Sequence, residues 1–213
     1  MSVMQAPAPS EASLEAGGHA KGVAVAVVRQ NKDDSGLGRV KVSYPWHSQP
    51  RESYWARVAM PMAGKNRGTY FIPEVDDEVL VAFEREDLRF PCVLGSLWNG
   101  KDKPPHNNND GKNDKRAFRS RKQHYLLFDD GSKGVVELAH EKGRKVVFDE
   151  NGILMHDERG NMFKIDSNSG AVTIEAKGQL SIKAATISIE ATGSLEVKAS
   201  ATLTVRGALV NIN

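Results

Sequence analysis

Residues 194–213, SLEVKASATLTVRGALVNIN, decide how the chain must fold: apolar residues come in pairs one residue apart, and the pairs recur at a short, nearly fixed interval. Two apolar residues flanking a polar one share a face of a β-strand, because successive side chains point to opposite sides. Traced backward, the pairs are Val172/Ile174, Leu180/Ile182, Ile187/Ile189, Leu195/Val197, Leu203/Val205 and Val210/Ile212, at steps of seven or eight residues. Thr173, Ser181, Ser188, Glu196, Thr204 and Asn211 sit between them and face outward. Small residues such as Ala176, Gly178, Ala184, Gly193 and Ala199 occupy the corners.

This interval is shorter than the roughly 20–50 residues of most solenoid repeats. Burying two aliphatic side chains contributes about 3–6 kcal/mol, too little to offset fixing some eight backbone positions, so no repeat folds alone. Stacked repeats also leave strand edges open. Three chains wound about one axis solve both problems, with Val, Leu and Ile inside a triangular prism and Thr, Ser, Lys and Glu outside. About eleven strands from Tyr125 onward, ~4.8 Å apart, give a rod on the order of 50 Å long. The expected trimer core is Val172, Ile174, Leu180, Ile182, Ile187, Ile189, Leu195, Val197, Leu203 and Val205. A single-chain solenoid is the competing arrangement, but it normally hides its last coil beneath a cap, and Leu209, Val210 and Ile212 form none.

Upstream, GVAVAVV (22–28), GRVKVSY (38–44), WARVAM (55–60) and DEVLVAFE (77–84) alternate or run in β-branched residues between turns such as DDSGLG and AGKNRG. Several short strands within about eighty residues predict a small antiparallel barrel or sandwich, a five-stranded barrel being the first choice. Residues 1–21, rich in Ala, Pro, Ser, Glu and Gly, are expected to form a flexible tail. The barrel domain is expected over 22–100, and KDKPPHNNNDGKNDKRAFRSRK opens a polar, basic linker or neck over 101–124. Residues 125–213 are then the spike, and the fold class is all-β.

The 213 residues are 39% apolar and 26% charged, with formal net charge +2, a balance that announces neither disorder nor a dominant polyanionic partner. One cysteine, Cys92, excludes an internal disulfide and a cysteine-based zinc site; beside Val93 and Leu94 it is expected in the core. No basic start followed by an apolar core marks a signal peptide, and no apolar run approaches the ~20 residues of a membrane span. Synthesis in the cytoplasm is the expectation.

GLGRVKVSYPW (36–46), YWARVAMPMAGKNRGTYFIPEVDDEVLVAFE (54–84) and RFPCVLGSLWNG (89–100) resemble the barrel domain of the VgrG and phage baseplate protein V spike family. SRKQHYLLFDDGSKGVVEL (120–138) resembles the neck leading to that family's trimeric β-helix, and GALVNIN (207–213) resembles the end of spikes that accept a separate PAAR-type tip. The resemblance implies an oligonucleotide/oligosaccharide-binding (OB) barrel followed by an intertwined trimeric needle. It places the chain in the baseplate of a contractile injection system, as in a phage tail, tailocin or type VI machine, where the needle punctures a target envelope. It also implies a tip protein on Leu209, Val210, Asn211, Ile212 and Asn213, a separate hub protein at the barrel, transient contact with the target membrane and room for effector cargo. VgrG proteins usually carry a large hub region ahead of the barrel, which some twenty residues here do not supply. Relatives that insert a lysozyme domain or end in a His-x-His metal tip differ from this chain.

No catalytic, cofactor-binding or metal-ligating residue is assigned, and the chain is expected not to be an enzyme. His19, His47, His106, His124, His140 and His156 show no tight ligand spacing, and neither a Gly-x-Ser-x-Gly elbow nor a phosphate-cradling loop occurs. The competing function is single-strand nucleic-acid binding by the OB barrel. It would use Lys112, Lys115, Arg116, Arg119, Arg121 and Lys122 as cations, and Tyr44, Trp46, Tyr54, Trp55 and Trp98 as stacking platforms. The bland reading of those aromatics is that they fill the barrel core and trimer contacts. Nucleic-acid binding leaves the repeat unexplained, and no nucleic-acid partner is expected.

Overall fold

The computed structural model describes residues 20–46 and 52–212. Residues 1–19 of the expected tail, His47 and Asn213 lie outside the described residues. Strands are nearly the only regular elements of the fold, and the described residues divide into two units, one up to 109 and one from 110.

In the first unit the alternating stretches become β1 (Val23–Gln30), β2 (Lys41–Ser43), β3 (Arg57–Val58), β6 (Glu78–Phe83) and β7 (Pro91–Leu97). The two-residue strands β4 (Ala63–Gly64) and β5 (Arg67–Gly68) form a separate hairpin. Sheet order is β2-β1-β6-β7-β3, antiparallel except for the parallel β3–β7 pair. Reciprocal backbone hydrogen bonds between Val40 and Ala56, 3.0 and 2.7 Å, tie the start of β2 to the approach to β3 and close the barrel. That closed five-stranded Greek-key arrangement is the OB topology.

Alternation places Ala26 and Val28 of β1, Val79 and Val81 of β6, and Val93 of β7 inside with no exposure, together with Val40, Val42 and Ala56. Cys92 departs from expectation: it falls between inward Pro91 and Val93, so the pleat turns it to the outer face, where it is half-buried. Leu88, from the turn after β6, plugs the core at 2% exposure. Leu88→Ala is expected to destabilise the barrel by about 2–5 kcal/mol, read as a lower urea midpoint; an unchanged midpoint would mean Leu88 is not a core plug.

The second unit is an antiparallel meander of β8 (Lys115–Arg119), β9 (Tyr125–Asp129), β10 (Val135–Ala139), β11 (Lys145–Asp149), β12 (Gly152–His156), β13 (Met162–Asp166) and β14 (Val172–Glu175). Two expectations change here. The segment 101–124 is not linker throughout, because β8 lies within it and pairs with β9 from Lys115↔Asp129 to Arg119↔Tyr125. Its cations serve that pairing: Arg116 bonds Asp130 at 2.8 Å, and Arg119 lies 4.5 Å from the Tyr125 ring centroid. Residues 115–175 also pair with their own chain, each strand with the next, where the expectation is pairing between chains from Tyr125 onward. The turn between successive strands is long enough for a hairpin, as at 130–134 and 140–144.

Candidate functional site: an unpartnered apolar sheet face

Residues directly opposite one another in an antiparallel sheet share a face. The register therefore aligns Phe118, Leu126, Leu138, Val146, Met155, Phe163 and Ile174 in one column across β8–β14. Two residues along each strand, on the same face, is a second column: Arg116, Phe128, Val136, Phe148, Ile153, Ile165 and Val172. Thirteen of these fourteen side chains are apolar. The exception, Arg116, sits on the edge strand with its guanidinium directed to Asp130 and to the Asn113 carbonyl.

The reverse face is mixed, carrying Glu137, Lys145, Lys164, Thr173, His156 and Glu175 among its apolar residues. Lys145 bridges Glu137 there at 3.0 Å. The turns are held by their own carboxylates. Hydrogen bonds from Lys164 and Ser169 to Asp166 hold its carboxyl well below the usual range, the Asn161 amide does the same for Asp157, and the Arg144 guanidinium lowers Glu158.

Among the described residues nothing buries the apolar face. Leu138 is 57% exposed, and Phe118, Phe148, Met155, Val172 and Ile174 are exposed as well. Among the described residues of the second unit, Tyr125 is the only buried apolar side chain. Beyond β14 no described residue from 176 to 212 belongs to a strand, and each is exposed. Of the expected trimer-core residues, Val172 and Ile174 thus lie on β14 in line with Ile165 and Phe163. Leu180, Ile182, Ile187, Ile189, Leu195, Val197, Leu203 and Val205 lie on the unpaired stretch, Ile189 at 68% exposure. Leu209, Val210 and Ile212 are exposed there too, as is Asn211, while Asn213 lies outside the described residues.

The aromatics weighed as base platforms divide. Tyr44 is buried and stacks on Trp46 at 4.9 Å, and burial pushes its phenol pKa up. Tyr54 and Trp98 are on the surface, and Trp55 has Arg39 and Lys41 over its ring at 5.6 and 5.2 Å. Arg39 is itself held by the Asp33 carboxylate at 2.7 Å, which fixes the β1–β2 loop. His124 and His140, distant in sequence, meet with ring centroids 4.5 Å apart. Among the described residues no group of three or more His, Cys, Asp or Glu is placed to hold a metal ion.

Residues 24–98, the barrel from β1 to the end of β7, match the family described as the type VI secretion system/phage-baseplate injector OB domain. The barrel is similar to that OB domain. Its curated relatives are spike proteins: type VI secretion system spike protein VgrG1a of Pseudomonas aeruginosa is 40% identical over 73 residues, 32% of this chain and 11% of the relative. VgrG3 of Vibrio cholerae serotype O1 is 36% identical over 74 residues, 33% of this chain and 7% of the relative. The match thus spans about a tenth of the curated relatives' length. The spike-family resemblance noted on the barrel motifs holds over residues 24–98. No helix among the described residues is long and apolar enough to cross a membrane.

Proposed function

We propose that this chain is the central spike of a contractile injection system baseplate, acting as a homotrimer that pierces a target envelope. The observation that carries the proposal is the two-column apolar face of β8–β14, bare in the single chain and continued by the repeats of 176–212. Side chains of that kind yield about 1.5–3 kcal/mol each when fully buried, so thirteen apolar positions per chain favour assembly strongly. Three copies facing inward make a prism with its polar face outward, and the repeats beyond it pair between chains. The proposed division of labour is therefore a self-paired meander followed by a braided needle.

The proposed role is mechanical and not enzymatic. The barrels seat the trimer on a separate hub protein, and residues 209–213, which would form strands only in the trimer, receive a PAAR-type tip by β-augmentation. Membrane contact is transient, during puncture. The barrel's similarity to type VI secretion system spike proteins supports a place in such a machine.

The test is the absolute mass of the full chain in solution. A trimer of this 23.3 kDa chain weighs roughly 70 kDa; a well-folded species of one chain's mass would end the proposal. Deleting residues 209–213 is expected to abolish capture of a PAAR-type protein while leaving that mass per chain count at three. Undiminished capture would remove the tip assignment alone.

A further inference from the structure

The meander turns its chain back at two lateral edges, and the two differ in charge. One edge is made by the turns 129–134, 149–152 and 166–171, which hold five carboxylates against one lysine, a formal charge of −4. The opposite edge is made by 119–125, 140–145, 156–162 and 175–179, with eight cations against four carboxylates, a formal charge of +4 before its three histidines are counted. Some of these charges are used within the chain, as in Arg144 with Glu158. Among the described residues, Glu150 on the acidic edge and Lys122, Lys142 and Arg159 on the basic edge have no ion-pair partner in their own chain.

We infer that the acidic turn edge of each copy docks on the basic turn edge of the next, so that charge as well as apolar burial closes the ring of three. A rotational ring of identical sheets brings one edge of each copy against the opposite edge of its neighbour, whereas a two-fold contact would set like edge on like edge. Segregated charge therefore suits the ring and opposes the two-fold dimer. The edges are also staggered: acidic turns follow β9, β11 and β13, and basic turns follow β8, β10 and β12. Each acidic turn lies one strand spacing, about 4.8 Å, from the basic turns on either side in the sheet order. At equal height in a neighbouring copy, the turn carrying Glu150 falls between those carrying Lys142 and Arg159. This inference rests on the proposed trimer and names the contact that selects it.

The test is the rate at which full-length chain forms trimer on dilution from urea, followed by light scattering. Complementary edges steer association, so the wild-type rate is expected to fall about tenfold between about 20 mM and 0.5 M salt. At low salt Glu150→Lys alone and Lys142→Glu alone are each expected to assemble several-fold more slowly, since each sets like charges together. The variant carrying both is expected to regain the wild-type rate, which a folding defect in either turn would not allow. A salt-independent rate with single variants indistinguishable from wild type overturns edge docking while leaving the trimer intact. A wild-type protein that stays at one chain's mass removes both.

Discussion

Ile189→Asp is expected to abolish the trimer, leaving a species near the 23.3 kDa chain mass. Within one chain Ile189 is 68% exposed and belongs to no strand, so an aspartate there loses no intrachain core contact. In the proposed prism the same position points at the axis in all three copies. Three carboxylates would then share one dry interior, at a cost of several kcal/mol each unless protonated. The control is Ser188→Asp, one residue away and outward, which is expected to leave the mass unchanged. Phe163→Asp in the self-paired sheet should behave like Ile189→Asp, because in the proposed prism its column would be covered by the same partners. Trimers that survive both core substitutions would mean the apolar face is not where copies meet.

The second large effect is local. Gly152 opens β12 at φ +134°, and a Cβ there would lie 2.1 Å from the Ile165 carbonyl oxygen on β13. Gly152→Ala is expected to break the β12–β13 pairing at a cost on the order of 3 kcal/mol or more, seen as lost protection of the Ile165 and Ser167 amides in hydrogen exchange. Gly134 is the comparison: its φ is also positive, +51°, but nothing lies within 4 Å of the Cβ position. There Ala meets only the backbone penalty of about 1 kcal/mol. Equal protection in both variants would contradict the close approach at Gly152.

The barrel was legible because its strands alternate: Val79, Val81 and Phe83 inward, Glu78, Leu80 and Ala82 outward, each visible as a two-residue period. Closure was not legible, since it depends on single bridges such as Val40↔Ala56 that have no strand-length pattern. β8 was hidden by its neighbours. Two prolines and an asparagine run precede it, and its own KRAFR holds only Phe118 as a large apolar residue. The apolar pairs downstream were legible, but which chain each strand pairs with was not, because the same pair suits a hairpin or an exchanged strand. Spacing carried the missing signal. Most strands of the meander begin about ten residues apart, at Tyr125, Val135 and Lys145 and again at Gly152, Met162 and Val172, enough for five paired residues and a turn. The later repeats at seven or eight residues leave no room for both.

Cys92 and the histidine pair teach the same lesson from the other side. Residue type suggested a buried thiol, but the pleat set by Pro91 and Val93 decided its face. His124 and His140 are sixteen residues apart and meet only because β9 and β10 are hairpin partners.

The strand order of the meander has a kinetic corollary. Every strand from β8 to β14 bonds only to its neighbours in sequence, so this region can acquire its backbone order chain by chain, on the microsecond scale of hairpin closure, before any encounter between copies. Residues 176–212 pair with nothing in the single chain, and in the proposed needle their order would wait for collision. Maturation would then run one way, like a zip fastener started at β14 and drawn toward the C-terminus. A chain arrested midway would expose its stickiest surface last.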